Sequence, residues 1–308
     1  MKRLSSTLES FREKGLIRQV PCRLNIMNQF IFFNGKIIPD TDAYISSADR
    51  GFLYGDCIYE TLRSYKGKPF KLSNHLKRMR HSAKQLRISF RYTDEDIGEW
   101  INELMKMNCN QDAYIRITLS RGACGGRLQM DENLEPTTLI QVKPFSPYDS
   151  KLYDEGMSLV ISDYRRSTSC PISRYKSTNL LQSILRKEES NKKSAHETIV
   201  LNTDGYVAEC VVSNIFMVSG ESVVTPSLDT NILPGITRKT VLDICRDSSI
   251  PMSEECFKID RLIKSDEVFI TNSLIEIMPV SMIDDTKIGK VIPGKVTQQL
   301  MSVYKNFV

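Results

Sequence analysis

The chain has 308 residues, 41% of them hydrophobic and 26% charged, and a formal charge of +5. That length and apolar content can bury a substantial core and usually divide into about two domains, which excludes a disordered or fibrous chain. No run approaches the about 18 consecutive apolar residues that a bilayer crossing needs, and the N-terminus lacks an apolar secretory core, so a soluble cytoplasmic protein with no membrane partner is expected.

Residues 1–26 hold six cations (Lys2, Arg3, Arg12, Lys14, Arg18, Arg23) against two anions (Glu9, Glu13), so they carry +4 of the net charge. The basic residues thus gather in an extension instead of on a folded face, and no nucleic-acid partner is expected. Met27 opens MNQFIFFNGKIIPD, which reads as a natural first strand. Residues 1–26 are then a flexible tail or the product of an upstream start codon, and Glu9 and Glu13 disfavour a transit peptide. The eight cysteines form no CxxC pair and the three histidines are far apart. Neither a metal site nor a disulfide framework is expected from them.

Along the chain, Asn34-Gly35 between two apolar runs predicts a hairpin over residues 29–38. Leu76, Met79, Ala83 and Leu86 recur at helical spacing behind Ser73, a candidate cap, and predict a helix over 73–88. Thr93 with Asp96 predicts a capped second helix carrying Ile97, Trp100, Ile101, Leu104 and Met105. Residues 114–120 alternate, with Ile115, Ile117 and Leu119 on a packed face and Tyr114, Arg116, Thr118 and Ser120 on one that could line a cavity. TTLIQV is a further strand, and the proline-containing PFSPYDSK that follows predicts an interdomain linker at 144–151. The domains expected are residues 27–143 and 152–308.

The second half predicts strands near 157–162 and 198–202, a helix near 179–189, and a hairpin turning at Thr203-Asp204-Gly205 into Tyr206–Cys210. Further strands at 214–218, 222–225 and 267–271 flank a helix opening near Thr237. Hairpins mixed with scattered helices argue for an α+β fold, since a doubly wound sheet needs regular βαβ alternation.

Four places carry the types of residue that chemistry needs. Lys176, in SRYKSTNLLQSIL, lies in a polar strip before an apolar-periodic helix, and a sheltered lysine can lose its proton and form a Schiff base with a carbonyl. Glu209, in GYVAECVVSNIF, precedes a largely uncharged run; a buried acid needs a partner, which a protonated pyridinium nitrogen would supply. NILPGITR puts Pro234 and Gly235 ahead of a helix whose free N–H groups, with the Thr237 hydroxyl, suit a phosphate. Arg78 can add a charge-assisted bond to the same phosphate. Each of these has an ordinary structural alternative, respectively a solvated lysine, a strand glutamate, a plain helix start and a surface arginine.

Their order is more specific than any one of them. HLKRM, KSTN, GYVAECVVSN, LPGITR and TNSLIEIMPV follow one another over about 200 residues, and this order resembles the fold-type IV, class IV aminotransferase family of pyridoxal-phosphate enzymes, from about Met27 to Phe307. The resemblance implies an α+β, two-domain fold like that of D-amino acid aminotransferases, with a small N-terminal and a larger C-terminal domain, and a site between them completed at a homodimer contact. It implies Lys176 as the Schiff-base lysine that also shuttles the α-carbon proton, with Arg78, Ile236, Thr237 and Ser273 on the cofactor phosphate and Glu209 at the pyridine nitrogen. ADRGFLYGDCIYETLR resembles the family's N-terminal signature, which implies that Tyr54 approaches the site. The tyrosine that branched-chain aminotransferases carry shortly after the lysine is absent, and Leu180 or its neighbour replaces it.

The substrate implied is a small, amino acid-like molecule. Three features resemble the aminodeoxychorismate lyase branch, which releases pyruvate and 4-aminobenzoate: Tyr59-Glu60-Thr61, Thr271-Asn272-Ser273, and Ser120-Arg121-Gly122 with Gly125-Gly126-Arg127. Arg121 or Arg127 is a candidate for a substrate carboxylate, and Asn272 a candidate substrate contact. The alternatives are a branched-chain or other L- or D-amino acid aminotransferase, and a non-catalytic ligand-binding relative.

Overall fold

The protein is described from a computed structural model over residues 29–109, 112–126, 128–131 and 133–308. The 1–26 extension, Met27 and Arg127 therefore lie outside the described residues. The chain folds around two sheets, one built from residues 30–144 and one from residues 157–287.

The first sheet opens with β1 (Phe30–Phe33) and β2 (Lys36–Pro39), joined at Asn34 and Gly35. Both turn residues have positive φ, 46° and 94°, the conformation a two-residue hairpin turn demands and the reason this dipeptide was informative. A short helix, α1 (Arg50–Tyr54), leads into β3 (Cys57–Tyr65) and β4 (Lys68–Pro69). Helices α2 (Leu72–Gln85) and α3 (Asp94–Asn108) follow, then β5 (Ala113–Ser120) and β6 (Thr137–Pro144). The strand order is β2-β1-β6-β5-β3-β4.

The capping box at Thr93 and Asp96 is present at the start of α3. The Ser73 cap is not. Lys71, in the left-handed region at φ 51°, precedes α2 without a side-chain cap, and Ser73 lies inside the first turn. Leu76, Met79 and Ala83 of α2 and Ile97, Ile101 and Leu104 of α3 pack with Ile115, Ile117 and Leu119 of β5 into one core. The opposite face of β5 carries the half-buried Tyr114, Arg116 and Thr118. That face looks toward the second half of the molecule.

The second sheet contains β7 (Met157–Ile161), β8 (Glu197–Leu201), β9 (Val207–Cys210), β10 (Asn214–Ser219), β11 (Ser222–Pro226), β12 (Met252–Glu255), β13 (Glu267–Asn272), β14 (Glu276–Ile283) and β15 (Thr286–Lys287). Its path runs β12-β11-β10-β13-β14-β7-β8-β9, with β15 on β14. The β11–β12, β14–β7 and β7–β8 pairs are parallel and the others antiparallel, so the sheet is mixed. Around it lie α4 (Lys151–Glu155), α5 (Leu181–Lys192), α6 (Ile236–Asp247), α7 (Ile259–Ile263) and α8 (Lys295–Lys305). Val241 and Ile244 of α6 and Leu300 and Tyr304 of α8 cover Phe216, Phe269 and Ile277 on one face. Leu159, Ile199, Ile215 and Ile270 belong to a separate apolar cluster with Phe257 and Leu262. Among the described residues, no helix is long and apolar enough to cross a membrane.

Candidate active site

A cavity of about 550 Å³ is lined by residues from both sheets. Lys176 reaches it on a loop that the first sheet fixes from behind. The Tyr59 N–H donates to the Lys176 carbonyl at 2.9 Å, the Thr178 N–H to the Cys57 carbonyl at 3.0 Å, and Ile58 pairs with Ser177 as an isolated bridge. Gly55, at φ 65°, belongs to the same lock: its carbonyl accepts from Asn179 Nδ2 at 2.9 Å, and a Cβ there would sit 2.9 Å from Asn179 Oδ1. The half-buried Lys176 amine stands 4.7 Å from the centre of the Tyr59 ring.

Arg78, Ile236, Thr237 and Ser273 also line this cavity. Helix α6 starts after Gly235 with no side-chain cap, so its first N–H groups remain for a ligand. Gly235 is dictated by packing, because a Cβ would lie 2.0 Å from Asn214 Oδ1. Arg78 is held by Glu60 of β3 through Nε to Oε1 at 2.8 Å and Nη2 to Oε2 at 2.7 Å, and its Nη1 donates to the Pro234 carbonyl at 2.9 Å. His75 Nδ1 is 2.7 Å from Glu60 Oε2, and its Nε2 is 3.5 Å from Ser273 Oγ. Burial alone would raise the Glu60 carboxyl, but the charge and hydrogen bonds of Arg78 and the bond from His75 hold it down at about 2. Burial pulls the His75 imidazole down, against the pull of Glu60.

Glu209, on β9, lines the same cavity, and the protein supplies its partners. Arg166 Nη1 donates to Oε1 at 2.5 Å; Asn214 Nδ2 and the Leu233 N–H donate to Oε2 at 3.0 and 3.1 Å. Sequence reasoning missed Arg166 and Asn214, because their contacts with Glu209 cross turns between separate elements. Arg116 was expected only as one residue of an alternating face. Its guanidinium lies 3.9 Å from the Tyr59 ring centre, on the cavity wall, and it makes no hydrogen bond or ion pair with the described residues. Arg116 also pairs in register with Thr61, another wall residue.

One candidate substrate contact, Arg121, is corrected. Arg121 is 3% exposed and spends its donors inside the protein: Nε and Nη2 on Asp56 at 2.7 and 3.0 Å, Nη1 on the Arg87 carbonyl and Nη2 on the Leu86 carbonyl. It holds the loop after β5 and does not line the cavity. Asn272 does line it, with Oδ1 and one of its two Nδ2 hydrogens engaged inside the protein. Nδ2 donates to Ser213 Oγ at 3.1 Å, and Oδ1 accepts the Leu274 and Ile275 N–H groups. Tyr54 lies outside its own chain's cavity, partly exposed on α1, 5.3 Å from the Arg50 guanidinium. Leu180, in place of the missing tyrosine, is a wall residue.

An amine, a caged carboxylate and an uncapped helix start beside a cation therefore face one cavity, and comparison with known proteins gives this set its family. Residues 57–283 match the family described as amino-transferase class IV, and the chain belongs to it. The chain is similar to the aminodeoxychorismate lyase of Bacillus subtilis (strain 168), with 34% identity over 277 residues, covering 89% of this chain and 93% of that one. It is similar to the D-alanine aminotransferase of Bacillus licheniformis, with 30% identity over 276 residues, 90% of this chain and 96% of the other. Among solved structures, a T.th. branched-chain amino acid aminotransferase with pyridoxamine 5'-phosphate superposes at a TM-score of 0.85 and 30% identity, over 91% of this chain and 93% of that one.

The protein is thus a fold-type IV enzyme whose cofactor is pyridoxal 5'-phosphate. The donor set fits that group. Besides the residues above, Thr271 lines the cavity with a buried hydroxyl that has no hydrogen-bond partner among the described residues. When bound, the cofactor supplies an aldehyde carbon and a ring that accepts the electrons of a carbanion.

Proposed function

We propose that Lys176 is the catalytic lysine, that Arg78, Ile236, Thr237 and Ser273 hold the cofactor phosphate, that Glu209 holds the proton on the pyridine nitrogen, and that the enzyme is a 4-amino-4-deoxychorismate lyase. The observation that carries the lyase reading is the position of its two tripeptides. Thr61, and Thr271 to Ser273, are cavity walls, and in this reading the walls act on the choice of product.

In this reading Arg116 takes a substrate carboxylate by a charge-assisted pair, with the Tyr59 ring keeping the guanidinium in place. Lys176 Nζ removes the proton from the substrate carbon that bears the amine. The ether bond to the enolpyruvyl group then breaks, the departing group gains a proton to become pyruvate, and the ring left behind aromatises to 4-aminobenzoate. The two products together hold all the atoms of the substrate, so no second substrate is required. Transamination differs at this point, since it needs a keto acid to complete the cycle. Lys176 and Glu209 serve both reactions, and the cavity wall decides between them.

An aminotransferase is the second reading, favoured by the aliphatic walls Leu180, Ile184 and Val212, which suit a branched side chain. The test supplies aminodeoxychorismate alone and, separately, leucine or D-alanine with 2-oxoglutarate. Pyruvate and 4-aminobenzoate without glutamate support the lyase; glutamate formation overturns it.

The exposed Phe52, Leu53 and Tyr54 of α1, and Leu181, Ile184 and Leu185 of α5, support a homodimer in which Tyr54 faces the second copy. We place the domain boundary in residues 144–151, between β6 and α4, and the enzyme in the cytoplasm.

A further inference from the structure

We infer that Glu60 is a positioning residue for the cofactor, acting through Arg78 and His75; this rests on the reading of Arg78 and Ser273 as phosphate ligands. Strand alternation puts Tyr59 and Thr61 on the cavity side of β3 and turns Glu60 to the other face, among core residues Ile58 and Leu62. The carboxylate is 1% exposed. A charge there is costly to bury, and the packing of an apolar core has no need of it. Its use lies in what it holds.

Three donors converge on its two oxygens: Arg78 Nε, Arg78 Nη2 and His75 Nδ1. Through them one anion connects the pieces of the phosphate corner. Arg78 reaches on to the Pro234 carbonyl, just before α6, and His75 reaches Ser273 in the turn between β13 and β14. Helix α2 is thereby tied to a loop and a turn of the second half of the molecule. The guanidinium is fixed in orientation before any ligand arrives, so its ordering cost is met by folding and not by binding.

A neutral amide cannot replace the carboxylate. Gln has one acceptor oxygen and brings two donors of its own, so at least one of the three donors loses its partner. Arg78 is 11% exposed at the wall of the cavity, and water would then hydrate it in several orientations. Binding of a phosphate must freeze them again. A ligand without a phosphate does not use Arg78 and does not meet this cost.

The test is equilibrium dialysis of the full-length protein against pyridoxal 5'-phosphate and, separately, pyridoxal. Glu60→Gln is expected to weaken pyridoxal phosphate about 10- to 100-fold, the scale of a charge-assisted hydrogen bond, and pyridoxal by less than about twofold. Equal weakening of both, or an unchanged or tighter affinity for pyridoxal phosphate, overturns the inference. Arg78→Ala separates it from the reading beneath it. If Arg78→Ala leaves pyridoxal phosphate unaffected, the phosphate assignment fails. If Arg78→Ala weakens it and Glu60→Gln does not, only the role of Glu60 fails. Should Glu60→Gln not fold, Glu60→Asp keeps the charge and withdraws it by one methylene. The same selective loss, smaller at about three- to tenfold, is then expected, and no selectivity overturns the inference.

Discussion

Two arginine clusters in the first half of the molecule use the same chemical groups to opposite ends. At the corner formed by α1 and the loop after β5, Arg50 and Arg121 both bond Asp56, and Arg121 adds two backbone carbonyls. On the cavity wall, Arg78 spends three of its five N–H donors on Glu60 and the Pro234 carbonyl and keeps two, and Arg116 has an aromatic face beneath it but no anion among the described residues. A guanidinium whose donors are already spent inside the protein has nothing to offer a ligand. The corner should therefore carry stability and the wall turnover.

The sharpest way to break that division is Arg121→Ala. Removing this partner of a nearly buried pair leaves Asp56 with Arg50 alone and takes the donor from the Leu86 and Arg87 carbonyls. The expected loss is about 3–5 kcal/mol in urea unfolding, with KM of the folded fraction unchanged. A raised KM with little loss of stability would return Arg121 to the substrate.

Acid sensitivity probes Glu60, which lies buried behind the wall, holds Arg78 from the core side and contributes to stability itself. The folded Glu60 carboxyl is held at about 2, below its ordinary 4.5. Its contribution, on the order of 2–3 kcal/mol, is therefore complete above the ordinary value and is lost as pH falls toward 2. The stability difference between wild type and Glu60→Gln should be constant near neutrality and shrink below about pH 4.5. A difference that is constant down to about pH 3 contradicts the pairing.

Glu209→Gln keeps the shape of the cavity and removes the charge proposed to hold a proton on the ring nitrogen. Turnover should fall about 10- to 100-fold, or roughly 1.4–2.7 kcal/mol of barrier, with binding of pyridoxal phosphate retained. Unchanged turnover removes Glu209 from the mechanism. Arg116→Leu is the smallest effect and the direct counterpart of Arg121→Ala: KM should rise about tenfold, roughly 1.4 kcal/mol, without a change in unfolding. Loss of stability with unchanged KM would move Arg116 to the structural side.

Local signals were legible in the sequence where local physics decides them. Asn34-Gly35 marked its hairpin because both residues take positive φ, and Thr93 with Asp96 marked the start of α3 because the cap is reciprocal. The start of α2 was not legible, since a lysine in the left-handed region precedes it and no side chain caps it. Strand β14 and helix α8 were not predicted at all. At the site, residue types and their order gave the family and brought Lys176, Arg78, Glu209, Thr237 and Ser273 to one cavity, but the commitments of the side chains stayed hidden. Nothing near Arg121 announces Asp56, 65 positions away, and nothing near Glu209 announces Arg166, 43 positions away. Arg116 looked like any polar residue on an alternating strand.

One amine, that of Lys176, is expected to form the covalent link to the cofactor. Lys187 also lines the cavity and is the natural rival. Borohydride reduction of the protein loaded with pyridoxal phosphate, followed by peptide mass spectrometry, distinguishes them directly. A single pyridoxyl-phosphate group on Lys176, absent from Lys176→Ala, is the expected result; a label on Lys187, or on no lysine, would contradict the assignment of Lys176.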